Sequence, residues 1–249
     1  KVFAMRRPCG FHVRRAATGE ADGLRAEYLL WWAQEGLMNS GYLFSGCAGG
    51  AGDAGDAGDA ATGCGSGSKR PLTVAVWPGG TTRLSEHWER IRAIYARGGD
   101  VLVLNVSGAG PHEPHPVYNR PVRAFFGVLH KLADELLWLG DSLAALRAYD
   151  VLRCLDMTGE LRLREPGAPC RLYAEGYPAL SAAVAAALDG RVERAEIRFP
   201  FRSLAEWASA ERFDEEEAMG AVWPGMLQYC DLDDLAAWAG VAGEKERGR

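Results

Sequence analysis

The order of apolar and amphipathic segments predicts an α/β protein: a doubly wound, mainly parallel sheet with helices on both faces. Three observations carry this. PLTVAVW (Pro71 to Trp77) and DVLVLNV (Asp100 to Val106) are apolar at consecutive positions, so both faces of each strand need covering. Between them, Leu84, Trp88, Ile91 and Tyr95 recur at helical spacing. A strand, helix, strand succession returns at Arg171 to Ala174, Leu180 to Leu188 and Ala195 to Phe199.

The 249 residues suffice for one large domain with a substantial core, so residues 1–249 are read as a single domain. The chain starts at Lys1, which suggests a fragment of a longer polypeptide. Its composition, 48% hydrophobic and 24% charged, is that of a soluble globular protein. A net charge of -5 provides no general attraction to nucleic acid or anionic lipid, so neither nucleic acid nor a membrane is an expected partner. No apolar run approaches the roughly 18 residues that span a bilayer. Nothing before Leu29 resembles the apolar core of a signal peptide. The compartment therefore stays open, with the cytoplasm the favoured reading. The six cysteines include no C-x-x-C pair. Cys47 and Cys64 bracket a glycine-rich segment and could pair in an oxidising compartment; separate reduced thiols are preferred.

Along the chain, Lys1 to Ser40 is ambiguous, and Leu24 to Trp32 suits either strand or helix. Gly41 to Phe44 suits a short strand. Ser45 to Lys69 is nearly all Gly, Ala, Asp and Ser, with Gly-Asp-Ala three times over. It predicts a flexible surface insertion. A calcium β-roll is disfavoured, because alanine cannot fill the core that each such repeat needs. Order resumes at Pro71, followed by a tight turn in WPGGT. A helix is predicted from Arg83 to Arg97, stopped by Gly98-Gly99. After the second strand comes a proline-rich loop, Ser107 to Val122. Helices are predicted at Ala124 to Leu139 and Asp141 to Leu155, then a polar connector. The next strand meets a sharp turn at Glu175 to Pro178 and enters the alanine-rich helix of Leu180, Val184 and Leu188. Short helices at Leu204 to Ala208 and Asp231 to Ala239 flank a loop holding Trp223, Pro224 and Gly225. In such sheets ligands bind at the carboxyl ends of strands. The loops Trp77 to Thr82, Ser107 to Val122 and Glu175 to Pro178 should converge there.

The order of these pieces resembles the α/β-hydrolase superfamily, in its acetyl-xylan-esterase-like and dipeptidyl-peptidase-like branch. GYLF then PLTVAVWPGGT is similar to the early strands and the oxyanion turn. SLAALRAYDVLRCLD is similar to the helix before the nucleophile strand, and YAEGYPALSAAVAAALDGRV to the nucleophile elbow and its helix. The likeness covers about Gly41 to Gly240. The family elbow reads G-x-S-x-G. Here Ala174, Gly176 and Pro178 take its three defining positions, so the elbow is degenerate. Gly176, at the nucleophile position, has no oxygen to attack with. None of the five histidines follows the elbow, and VAGEKERGR after Gly240 cannot supply the family's last strands. The order Ser, acid, His is not completed within this chain.

No catalytic residue is therefore assigned. The oxyanion and pocket candidates are Gly79, Gly80, Thr81, Ser107, Glu175, Tyr177, Arg202 and Ser203. Ser181 is read as a small residue packed in its helix rather than a displaced nucleophile. His112 and His115, with Glu113 between, lie among prolines that exclude a helix, so no metal is assigned. No cofactor is expected. The resemblance implies an acetyl-xylan-esterase-like domain that is non-catalytic, a structural or binding partner of an active esterase domain. It also implies an acetylated carbohydrate or small ester as ligand. The alternatives are an active carboxylic-ester hydrolase that deacetylates carbohydrate through unidentified residues, and a carbohydrate-binding module using the inherited cleft.

Overall fold

Seven strands run β1 (Arg14–Ala21), β2 (Leu24–Gln34), β3 (Leu37–Gly46), β4 (Leu72–Val76), β5 (Asp100–Asn105), β6 (Cys170–Glu175) and β7 (Val192–Arg198). Among the described residues the α-helices are α1 (Trp88–Ala96), α2 (Gly127–Trp138), α3 (Leu143–Glu160) and α4 (Ala179–Leu188) between strands, and α5 (Leu204–Ala208) and α6 (Leu232–Trp238) after the last one. The structure is a computed structural model that describes residues 1–46, 70–114, 127–161, 163, 170–212 and 217–239. The predicted insertion lies outside the described residues apart from Ser45 and Gly46, as do His115 and the start of the Ala124 helix.

The strands form one mixed sheet in the order β1-β2-β3-β5-β4-β6-β7. The four strands predicted from two-sided apolarity or alternation, β5, β4, β6 and β7, are consecutive and parallel. The antiparallel part comes from the N-terminal third, where the sequence left strand and helix open. Leu24 to Trp32 is strand, paired to β1 and β3. Asp22 and Gly23, with φ of 50° and 75°, close the β1–β2 hairpin; Asp-Gly suits such a two-residue turn because both positions need positive φ.

Side chains of β4 alternate between two cores. Leu72, Val74 and Val76 pack toward α3 and α4, while Ala75 and Trp77 pack with Ile91 of α1. Full burial of each Leu or Val contributes about 1.5–3 kcal/mol. The predicted helix of Arg83 to Arg97 starts later than its apolar period suggests. Gly80–Arg83 is a 3-10 turn, His87 is non-helical, and α1 begins at Trp88. The stripe itself is right, since Leu84, Trp88, Ile91 and Tyr95 all join one core. α3 is longer than predicted. Ser142 caps it by accepting from the Ala145 amide, and it runs on through buried Met157 and Thr158 into the expected polar connector. The alanines of α4 let it lie close to α3, and nearly all its residues are buried, although Leu188 is exposed.

Candidate functional site

From β4 the chain turns one way, through α1 to β5. From β6 it turns the other way, through α4 to β7. The crevice between the carboxyl ends of β4 and β6 is therefore the topological switch point, where open α/β sheets place ligands. Two turns meet there, Trp77 to Arg83 and Glu175 to Pro178. Gly176 has φ 71°, the left-handed conformation expected at an elbow tip. A Cβ at this residue would lie 2.6 Å from Pro78 Cγ and 2.9 Å from Pro78 Cδ. The proline ring thus fills the space that a nucleophilic side chain would need.

The turn after β4 is tied inward. The Gly80 amide donates to the Trp77 carbonyl at 3.1 Å, and the Thr81 amide donates to Asn105 Oδ1 at 2.7 Å. This corrects the expectation that Gly80 and Thr81 offer amides to an oxyanion: both are engaged internally. Only the Gly79 amide of the three has no acceptor among the described residues. Gly80 has φ 50°, and a Cβ there would lie 2.3 Å from Asn105 Oδ1, so the close approach requires glycine. Asn105 is fully buried and donates to Thr81 Oγ1 and to Ser40 Oγ, each at 2.9 Å. Ser40 Oγ lies 2.8 Å from His112 Nε2. Ser40 Oγ accepts from Asn105, and the imidazole tautomer sets which way its bond to Nε2 runs. Burial pushes the His112 pKa down, in keeping with a neutral ring. Among the described residues no three His, Cys, Asp or Glu side chains cluster as metal ligands.

Across the crevice, His87 stacks on Trp77 with ring centres 4.2 Å apart. Its Nδ1 is 3.0 Å from Glu175 Oε1. The Tyr173 hydroxyl donates to the other Glu175 oxygen. Burial lowers the His87 pKa, and Glu175 pulls it back up. Burial raises the Tyr173 phenol, and the bond to Glu175 adds to this. A neutral His87 donating from Nδ1 to a carboxylate, with Nε2 left as acceptor, can take up a proton or hold a ligand's donor. Sequence inspection picked out Glu175 but missed His87 and Pro78. The helical period gave no signal for His87: it stands three residues after Leu84 and four before Ile91, on the same side as the apolar stripe.

The remaining candidates separate. Ser107 belongs to a clamp: its amide donates to Asp150 Oδ2 at 2.7 Å, and its carbonyl accepts from Arg147 Nε at 2.9 Å. Arg147 and Asp150 are both fully buried, and burial pushes each toward its neutral form while their mutual attraction opposes this. Ser181 is fully buried and donates to the Ala144 carbonyl at 2.9 Å, a packing contact between α4 and α3. Ser203 caps α5 by accepting from the Glu206 amide at 3.0 Å. Tyr177 and Arg202 line a cavity of about 560 Å³ beside the elbow, together with Phe201, Glu206, Trp207 and Arg212.

Comparison with known proteins bears on the fold. A candidate acetyl xylan esterase from Bacteroides fragilis NCTC 9343 superposes with a TM-score of 0.64 over 96% of this chain, at 10% identity. The fold is that of an α/β-hydrolase. An acetyl xylan esterase from Paenibacillus sp. R4 superposes with a TM-score of 0.51 over 77% of the chain, at 14% identity. The chain spans 62% and 55% of the lengths of those two proteins. No protein-family model matches the sequence, and no curated protein matches it. Within the α/β-hydrolase frame, the β6–α4 turn stands where the resemblance puts the elbow, with Gly176 at its tip.

Proposed function

We propose that this chain is a non-catalytic α/β-hydrolase-like domain, a structural or binding partner of an active esterase domain. The observation that carries it is the Pro78 ring beside Gly176. The elbow keeps its left-handed backbone but holds neither a hydroxyl nor the room for one. Without a nucleophile no acyl-enzyme forms, and two amides of the neighbouring turn are engaged inward. An acetylated carbohydrate or small ester remains the ligand that the fold suggests by analogy.

The test is labelling of the purified chain with a fluorophosphonate probe, alongside hydrolysis of 4-nitrophenyl acetate. No labelled serine and no saturable turnover are expected. A single labelled serine with saturable kinetics would overturn the proposal.

One observation favours a second reading, an active ester hydrolase. His87 and Glu175 form the base-and-carboxylate half of a catalytic triad, which could act on water rather than on a serine. Under it, the chain hydrolyses acetyl esters without being labelled, and His87→Ala abolishes the turnover.

A further inference from the structure

The cavity beside the elbow has a neighbour. A second cavity of about 350 Å³ is lined by Leu204, Ala208, Met219, Val222, Met226 and Leu227 among others, and its described lining is aliphatic side chains with Trp207 and Trp223. Trp207 and Ala210 belong to the walls of both cavities. The two spaces differ in chemistry. Among its described residues the first is lined by the exposed Arg202, Arg212 and Glu206 together with Tyr177 and Phe201. Among the described residues the second offers no charged or hydroxyl side chain to a ligand. A sugar ring entering it would leave its hydroxyls unpaired, which is costly in an apolar site.

The indole of Trp207 in the wall between them packs on aromatic rings. Trp207 lies on Phe201 with ring centres 5.1 Å apart and planes 13° from parallel. Its Nε1–H is buried and has no acceptor. Neither Arg202 nor Arg212 makes an ion pair with a described carboxylate, so both guanidinium groups remain available to an anion.

We propose that the two cavities form one amphipathic cleft that binds a medium-chain carboxylate, with its acyl chain in the apolar space and its head group at Arg202 and Arg212. Apolar lining at one end and cationic lining at the other select a ligand with the same polarity, and the combined space is of the size that small-molecule sites use. The cleft does not depend on an elbow nucleophile, so this proposal stands or falls separately from the non-catalytic reading.

Calorimetric titration of the whole chain tests it, with decanoate, hexanoate, decanol, xylobiose and glucuronate as probes below micelle-forming concentrations. Decanoate should bind with one-to-one stoichiometry, and affinity should fall about fourfold per methylene removed. The double variant Arg202→Gln, Arg212→Gln should weaken decanoate at least tenfold and leave decanol unchanged. Ala210→Trp, at an exposed position on both walls, should weaken both. Absence of decanoate binding, equal affinity for hexanoate, or a double variant that binds like the parent would overturn the proposal. So would xylobiose or glucuronate binding as tightly as decanoate, which would make the cleft a sugar site. Fluorophosphonate labelling with unchanged decanoate binding would sink the non-catalytic reading alone.

Discussion

Two places in this chain differ in opposite ways, one with a left-handed turn and no side chain, the other with a close hydroxyl and imidazole and no access. The elbow is partly open, and its backbone is bent for a nucleophile, but Gly176 has no side chain and Pro78 occupies the gap. Ser40 and His112 have a hydroxyl and an imidazole 2.8 Å apart, the spacing of a working pair. Ser40, however, is fully buried in β3 opposite Asn105, and no substrate carbonyl can reach it. The lesson is that a short hydroxyl-to-imidazole distance does not identify a nucleophile. Access and a position facing the developing charge decide it. The buried pair instead belongs to the hydrogen-bond chain that holds the turn after β4.

The contrast can be broken by substitution. The largest effect is expected from Asn105→Ala. It removes a fully buried side chain that bonds the Thr81 amide, the Thr81 hydroxyl and Ser40, and should cost about 3–4 kcal/mol at about 1 kcal/mol or more per bond. Urea unfolding measures this; a loss below about 1 kcal/mol would mean that the chain from Ser40 to Thr81 does not hold the turn.

Gly176→Ser comes next, at about 2–3 kcal/mol, from the left-handed backbone and the contact with Pro78. It should gain no reactivity toward fluorophosphonate. Adding Pro78→Ala should recover part of the stability. If Gly176→Ser alone were as stable as the parent, the proline would not be filling the site.

Ser40→Ala should cost about 1–2 kcal/mol by leaving Asn105 and His112 each short of a partner, with no change in probe labelling. Loss of an esterase activity in this variant would reverse the comparison and make the buried pair the functional one.

A smaller effect should follow pH. His87 and His112 have folded pKa values below the ordinary 6.5. The unfolded chain therefore binds more protons in the window between each lowered value and 6.5, and stability rises with pH there. Their contribution is complete above that window and is lost as the pH falls through it. Denaturant midpoints between pH 7.5 and 5 should decline, and the double variant His87→Asn, His112→Asn should decline less steeply. Smallest of all, Ser181→Ala should change stability by no more than about 1 kcal/mol, since one helix-to-helix hydrogen bond is lost.

Much of the frame was legible because its signals are local. Consecutive apolar residues in β4 and β5 marked strands covered on both faces, and Leu204 to Ala208 was read with its observed bounds. The N-terminal hairpins were not read from the sequence. Asp22-Gly23 between two strand-like runs is a hairpin signal, and Gly36 closes the next turn, yet Leu24 to Trp32 was left open because its bulky apolar residues also suit a buried helix. The late start of α1 was not legible, since Leu84 keeps the helical period while standing outside the helix. Of the candidate site, Glu175 and Tyr177 were singled out on the β6–α4 turn, and Tyr177 and Arg202 line the cavity of about 560 Å³. His87, Pro78, Asn105 and Trp207 were missed, because each owes its position to a partner from another element.

The chain's own pattern of side chains thus determined the alternation of strand and helix, the parallel run from β5 to β7, and a glycine able to take the left-handed tip. These depend on residues a few positions apart, where backbone sterics and the helical or strand period act directly. Only the tertiary structure decided that the Pro78 ring closes the gap over Gly176, that His87 reaches Glu175, and that Ser40 is enclosed while it bonds His112. Each joins segments remote in sequence, and whether they meet depends on strand order and close packing across the sheet rather than on any local preference.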